Sequence, residues 1–141
     1  MIKASIISLF VTVLLFAPAR TADDGRIEVQ QTISKQIDAF LNDDADTAYS
    51  VAAPGIKNRY PDKDGFFAMV KKSYQPVYRV GNYAFGRYAE PDPGAMAFQE
   101  VYITSPDGKD WTAVYKLLHQ PDGSWKIGGV GIFPNSESKG I

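Results

Sequence analysis

The longest patterned stretch of the chain, about residues 23–42, has apolar residues every three or four positions. This spacing predicts an amphipathic helix with one buried face. The apolar stripe consists of Val29, Ile33, Ile37, Phe40 and Leu41. We expect Asp23 or Asp24 to cap the helix, because an aspartate oxygen accepts hydrogen bonds from the free N–H groups of a first turn.

Two shorter helices are predicted next, each with an aspartate at its start. The first follows Asp43 or Asp44 and is expected to end at Pro54-Gly55. Its apolar positions are Ala45, Ala48, Tyr49 and Ala52. The other follows Asp62, spans about residues 63–74 and is expected to stop at Pro76, because proline breaks a helix interior. Its apolar positions are Phe66, Phe67, Val70 and Tyr74.

After Pro76 the pattern changes to runs rich in valine, isoleucine and aromatic residues, which predict strands. The runs lie at about 77–89, 95–105, 110–120 and 125–133. Pro106-Asp107-Gly108 and Pro121-Asp122-Gly123 separate the last three runs. Pro-Asp-Gly is typical of tight turns, since glycine takes the left-handed position. Helices followed by an antiparallel meander predict an α+β domain.

Hairpin loops of three residues at both Pro-Asp-Gly turns would define the strand register. Trp111 then pairs with Ile103 and Phe133, and His119 pairs with Trp125. Because side chains alternate between faces, one face is nearly free of charge, and we expect it to pack on the helices. This inner face carries Val101, Ile103, Trp111, Ala113, Tyr115, Leu117, Trp125, Ile127 and Phe133. The outer face carries Phe98, Glu100, Tyr102, Thr112, Val114, Lys116, Leu118 and Lys126.

Glycines occur inside the first and last predicted strands, where they usually mark bulges or bends. They are Gly81, Gly86, Gly128, Gly129 and Gly131. We therefore expect a strongly curved sheet wrapped around the helices. Such a sheet has the shape of a cone, and its wide mouth can hold a pocket.

Residues 1–19 have the pattern of a secretory signal peptide: a basic start, an apolar run and small residues before Arg20. The apolar run is shorter than the roughly 20 residues that span a bilayer. We expect cleavage between Ala19 and Arg20, with an uncleaved membrane anchor as the alternative. The protein is then secreted, into the periplasm, with one domain over residues 20–134 and a polar tail over 135–141.

The composition excludes several classes of function. The chain of 141 residues has 15 Lys and Arg against 16 Asp and Glu, which leaves no basic surface for nucleic acid. It has no cysteine, which excludes disulfides, thiol nucleophiles and cysteine-ligated metals. With one histidine, we expect no metal and no other cofactor.

Several stretches resemble a family of small secreted bacterial proteins known as domain of unknown function 4864. They include Ala53-Pro54-Gly55-Ile56, Phe66-Phe67-Ala68-Met69-Val70, Tyr74-Gln75-Pro76-Val77-Tyr78-Arg79 and Gln120-Pro121-Asp122-Gly123-Ser124-Trp125-Lys126-Ile127. Helices before a curved meander also resemble the nuclear transport factor 2-like cone fold of SnoaL-like and ketosteroid isomerase-like proteins. The resemblance implies that fold but transfers no catalytic residue. Cone folds include enzymes, carriers and scaffolds, so the fold does not choose a function.

Aromatic and amide side chains are the candidates for a ligand pocket between the helices and the sheet. They are Tyr49, Tyr74, Tyr78, Gln99, Trp111, Tyr115 and Trp125. Such a lining suits a small apolar or ring-bearing ligand. The alternative is ordinary core packing, with the hydroxyls bonded to backbone. We prefer a non-enzymatic domain that binds a small apolar ligand or a protein partner.

Catalysis is the second hypothesis, with a buried carboxylate or the single histidine as acid or base and a tyrosine as donor. The candidates are Asp38, at the edge of the first helical stripe, Glu100, and His119. For Glu100 the simpler expectation is an exposed ion pair with Lys116 on the outer face. The third hypothesis is a homodimer formed through the partly apolar outer face.

Overall fold

The computed structural model describes residues 12–16 and 22–135. The predicted cleavage site between Ala19 and Arg20, and the tail beyond Asn135, lie outside the described residues, as does most of the predicted signal peptide. Within the described ranges, no helix is long and apolar enough to cross a membrane.

Among the described residues five helices come first and four strands follow, so the domain is of the α+β class. The helices are α1 (Ala22–Leu41), α2 (Ala45–Ser50), α3 (Pro54–Arg59), α4 (Lys63–Ser73) and α5 (Gln75–Tyr78). The strands are β1 (Asn82–Asp92), β2 (Met96–Thr104), β3 (Asp110–His119) and β4 (Trp125–Pro134). They form an antiparallel meander in the order β1-β2-β3-β4. The sheet is open, with β1 and β4 as its two edges.

Helix α1 buries the predicted stripe but differs from the prediction at both ends. Val29, Ile33 and Ile37 are fully buried, whereas Leu41 is 41% exposed, so its place in the stripe was wrong. Asp23 and Asp24 lie inside the first turn instead of before it, because the helix begins at Ala22. Their carboxylates still favour this end, where the helix dipole is positive.

The end of α1 passes directly into α2 through two aspartates. Asp43 has a positive φ of 52°, and its N–H donates to the Phe40 carbonyl at 3.2 Å, while the Asp44 N–H donates to Ala39 at 2.8 Å. This pair of bonds is the Schellman motif that ends a helix. The Asp44 side chain then accepts from the Thr47 N–H at 3.1 Å and caps α2, as predicted.

The short helices α3 and α5 differ from the prediction, which has their prolines at helix ends. Pro54 is the first residue of α3 and Pro76 the second residue of α5. Proline fits the first turn of a helix, where its missing N–H has no intrahelical partner. The predicted strand at 77–89 therefore begins only at Asn82. The cap of α4 at Asp62 is confirmed, since its side chain accepts from the Asp64 N–H at 3.2 Å.

The predicted register is confirmed through the first hairpin and through the first three pairs of the second. Ile103 pairs with Trp111, and His119 with Trp125. A register shift at Lys116 and Leu117 then accommodates one extra residue in β4. As a result Phe133 pairs with Thr112 instead of Trp111 and is 56% exposed. Its predicted place on the inner face was therefore wrong.

The rest of the predicted inner face packs against α1, α2, α4 and α5 in one hydrophobic core. Tyr115, Leu117 and Val101 have no exposed surface, and Trp125 is 3% exposed. Trp111 is half-buried at the border of this core. The arrangement leaves one face of the sheet on the helices and the other uncovered by any described helix.

Candidate functional site

The candidate site lies where the segment between α2 and α3 meets the edge of β4. The Ala53 N–H donates to the Ile127 carbonyl, and the Ile127 N–H donates to the Val51 carbonyl, both at 2.8 Å. The contact is a single parallel bridge between Ala52 and Ile127. Helix α3 starts directly after this bridge, and the bulge of β4 follows Ile127. Because the chain leaves the bridge to form α3 and β4 has a bulge after Ile127, a gap remains between α3, α4 and the strand.

A cavity of about 370 Å³ occupies this gap. Small-molecule sites commonly have volumes of roughly 300–1,000 Å³. The residues of the helical part of the domain that line it are Gln36, Phe40, Ile56, Arg59, Tyr60, Phe66, Met69, Val70, Ser73, Tyr74 and Val77. The strand contributes Ile127, Gly128, Gly129 and Val130. Most of this lining is apolar or aromatic, so the cavity suits a ligand with a largely apolar surface.

Phe66 of α4 anchors the aromatic wall of the cavity. Its ring centroid lies 6.4 Å from that of Phe40, 5.5 Å from Tyr49 and 6.5 Å from Tyr60. The Tyr49 hydroxyl lies behind this wall and donates to the Tyr60 carbonyl at 2.6 Å. The wall thereby joins α1, α2 and α4 to the segment after α3, and its rings are held in position by packing.

One buried amide faces the cavity among these apolar groups. Gln36 is only 3% exposed, and its Nε2 donates to the Ala48 carbonyl at 3.1 Å. This bond orients the amide and leaves Oε1 as an acceptor that no hydrogen bond of the described residues uses. Gln36 lies three positions after Ile33 and four before Phe40, on the buried stripe of α1. A polar residue within an apolar stripe is a sequence signal for a buried polar site, and the prediction from the sequence did not use it.

Arg59, the last residue of α3, is the one charged side chain among the lining residues that the structure describes. It is exposed, so it lies at the mouth of the cavity. Its guanidinium carbon is 5.8 Å from the centroid of the Tyr60 ring. No sequence pattern singles out Arg59, because its position depends on how α3 lies against β4.

Of the seven predicted pocket residues, the structure places only Tyr74 in this cavity.

Tyr78 belongs instead to a polar cluster that links α5 to the end of α1. Its hydroxyl donates to the Asp43 carboxylate, which also accepts from Arg79 Nη2 at 2.8 Å, and Arg79 Nη1 donates to the Phe40 carbonyl. These donors, Tyr78 first and then Arg79, hold the pKa of Asp43 below its ordinary value.

Gln99 is fully buried and has a structural role at the irregular pairing of β1 with β2. Its Nε2 donates to the carbonyls of Gly86 and Arg87, both at 3.2 Å, and to that of Glu100 at 2.8 Å. Its Oε1 accepts from Gln30 Nε2 at 3.1 Å. The amide thus donates to the carbonyls of the β1 bulge, and both its nitrogen and its oxygen have hydrogen-bond partners within the fold.

The three remaining predicted residues are packed against the core instead of lining the cavity. Tyr115 and Trp125 lie in the interior, and Trp111 borders a separate groove near the start of β3. The Tyr115 hydroxyl and both indole N–H groups have no hydrogen-bond partner among the described residues. Burial raises the pKa of the Tyr115 hydroxyl, because the charged form loses its hydration.

The three catalytic candidates lie in three separate places and none of them lines the cavity. Asp38 is exposed on α1, beside a shallower groove of about 640 Å³. Glu100 lies on the outer face, paired with Arg87 at 2.8 Å instead of with Lys116, and Arg87 lowers the Glu100 pKa. His119 stacks on Trp125, with 4.8 Å between ring centroids, and its Nε2 is 3.1 Å from the Gly123 carbonyl.

The geometry therefore defines an α+β domain with a small apolar cavity beside one edge of its sheet. A family profile matches residues 22–140 of the 141-residue chain, and the chain belongs to that family, described as domain of unknown function DUF4864. This confirms the family resemblance carried by the sequence motifs. A search of the curated proteins finds no match, and a search of the solved structures finds none either.

Proposed function

We propose that the protein is an exported, non-enzymatic module that binds a small, largely apolar ligand in the cavity beside β4. The observation that carries this proposal is the cavity itself, about 370 Å³ in volume and lined mainly by apolar and aromatic groups. A few polar groups within an apolar lining are typical of sites for small molecules. The buried Gln36 amide has this character, with one end bonded to Ala48 and the other available.

Export and the cone-like fold are parts of the same proposal. Export is supported by the signal-peptide pattern of residues 1–19. Placement among the nuclear transport factor 2-like folds is supported by the order of elements and by the irregular pairings of β1 and β4. The mass of the protein recovered from the exported fraction tests the first point, because cleavage would leave a chain that begins at Arg20.

The same sample tests binding by native mass spectrometry. We expect an added mass that disappears on denaturation, since an apolar ligand would co-purify from the cell. The neutral fluorophore phenylnaphthylamine gives a second test, because its fluorescence rises in apolar surroundings. Failure of both measurements, with a bare mass and no fluorescence change, would contradict the proposal.

A pair of matched variants localises the binding. Met69 lines the cavity and is half-buried, whereas the adjacent Ala68 is exposed on α4. Met69→Trp fills part of the cavity, and we expect it to weaken phenylnaphthylamine binding at least tenfold. Ala68→Trp adds the same ring outside the cavity and should leave binding unchanged. Equal effects of the two variants would place the bound fluorophore elsewhere.

We do not propose catalysis by Asp38, Glu100 or His119, because none of them lines the cavity and they lie on three different elements. A homodimer through the outer face is the second candidate. Tyr102 and Phe133 favour it, since they are 45% and 56% exposed on that face. Light scattering at high concentration tests it, and a monomer would exclude it.

A further inference from the structure

The charge distribution of the cavity indicates which kind of ligand it accepts. Arg59 is the single charged group in the described lining, and no carboxylate lines the cavity. Arg59 forms no ion pair with any residue that the structure describes. Its guanidinium carbon lies 5.8 Å from the centroid of the Tyr60 ring.

We infer that the ligand is an apolar monoanion, a ring or chain compound with one carboxylate- or sulfonate-type group whose oxygens bind Arg59. This inference rests on the proposed function, since it needs an occupied cavity. The apolar part of the ligand then lies against Phe66 and Met69, inside the mouth. A guanidinium presents several N–H donors in one plane and binds paired anionic oxygens in two parallel hydrogen bonds.

The surroundings of Arg59 favour this arrangement over a neutral ligand. The mostly apolar lining next to Arg59 lowers the local dielectric constant, which strengthens an ion pair relative to a fully solvated pair. The Tyr60 ring lies within cation–π distance of the guanidinium and attracts it. The neutral groups at the mouth, Ser73 and Tyr74, offer further donors and no repelling charge.

Two fluorophores with one aromatic framework test the inference. Anilinonaphthalenesulfonate carries a sulfonate, and phenylnaphthylamine is the same ring system without it. We expect the protein to bind the sulfonate more tightly. Arg59→Gln should weaken sulfonate binding about tenfold, the size expected for one lost charge-assisted contact. It should change phenylnaphthylamine binding by less than about twofold.

Lys57→Gln is the matched control. Lys57 lies on the same helix and also faces an aromatic ring, that of Tyr49 at 5.2 Å, but it does not line the cavity. It should leave the affinities for both fluorophores unchanged. The inference is overturned if Arg59→Gln weakens the two fluorophores equally, or if Lys57→Gln weakens sulfonate binding as much as Arg59→Gln does.

Failure of the inference is distinguishable from failure of the proposed function. If phenylnaphthylamine binds and Met69→Trp blocks it, while Arg59→Gln leaves sulfonate affinity unchanged, the cavity binds ligands but does not select anions. If neither fluorophore binds and the native mass is bare, or if Met69→Trp leaves fluorophore binding intact, the proposed site is wrong and the inference fails with it.

Discussion

Tyrosine side chains have different structural roles on the two faces of the sheet. On the inner face Tyr115 is fully buried and its hydroxyl has no partner among the described residues. On the outer face Tyr102 is 45% exposed, and its hydroxyl donates to Glu100 at 3.1 Å. The inner tyrosine contributes by filling volume in the core, whereas the outer one contributes by covering backbone and bonding to a charge.

Glycines on the outer face explain why large side chains lie there. A Cβ added to Gly86 would be 2.6 Å from the Tyr102 ring, and one added to Gly131 would be 3.2 Å from the Phe133 ring. The two rings therefore lie close against the glycine backbone, a known compensation for glycine in sheets. The exposed aromatic residues on this face therefore have a structural role in covering glycine, whether or not a partner protein binds there.

The largest difference in the free energy of unfolding is expected between alanine variants of two adjacent leucines on opposite faces of the sheet. Leu117 is fully buried and Leu118 is half-buried on the outer face. Leu117→Ala leaves a cavity in the packed core and should lower the free energy of unfolding by about 2–5 kcal/mol. Leu118→Ala should cost less than about 1 kcal/mol, because its site opens to solvent. Urea denaturation measures both, and equal losses would contradict the assignment of faces.

The close approach of Tyr102 to Gly86 predicts a coupled pair on the outer face. Gly86→Ala should cost about 1 kcal/mol, because the ring must move away from the new methyl group. In a Tyr102→Ala background the same substitution should be neutral or stabilising, since alanine is better than glycine in a strand. A double-mutant cycle in urea measures this coupling. Strict additivity would show that the ring does not rest on Gly86.

Removal of the tyrosine hydroxyls should have effects of opposite sign on the two faces. Tyr115→Phe removes a buried hydroxyl without a described partner, and stability should stay equal or rise by up to about 1 kcal/mol. Tyr102→Phe removes a bond to Glu100 and should lower stability slightly. The midpoints of thermal unfolding of the two variants provide the measurement. A clear loss in Tyr115→Phe would indicate a bonded hydroxyl.

The smallest expected effect on stability comes from the Arg87–Glu100 ion pair on the outer face, and it depends on pH. Arg87 lowers the pKa of Glu100, which therefore contributes stability above the ordinary carboxyl range and loses it as pH falls through the lowered value. The stability difference between the wild type and Glu100→Gln should be constant near neutrality and decrease below about pH 4. Added salt should reduce it as well, because the pair is at the surface. A difference that grows in acid would contradict this account.

Sequence reasoning worked best where local rules determine structure. Both Pro-Asp-Gly turns have glycine in the left-handed region, with φ of 83° at Gly108 and 87° at Gly123. The tight turns fixed the pairing of Ile103 with Trp111, and side-chain alternation then assigned the faces. The prediction failed at Phe133, because a bulge adds one residue and its position depends on both strands.

The candidate site was predicted far less well than the fold. The aromatic residues chosen from the sequence all pack in or against the core, but only Tyr74 of them borders the cavity. The cavity arises where packing is incomplete, beside a helix that begins with Pro54 and was not predicted. Composition identifies apolar side chains, but it does not indicate which of them border an unfilled volume.

The sequence by itself therefore determined the α+β order, the meander, the turns and the identity of the buried sheet face. These depend on periodicity and on turn residues within about ten positions of each other. Only the tertiary structure decided the cavity and the place of Arg59 at its mouth. A cavity is the space left between elements distant in the chain, here α1, α3, α4 and β4, so its shape depends on their packing rather than on local pattern.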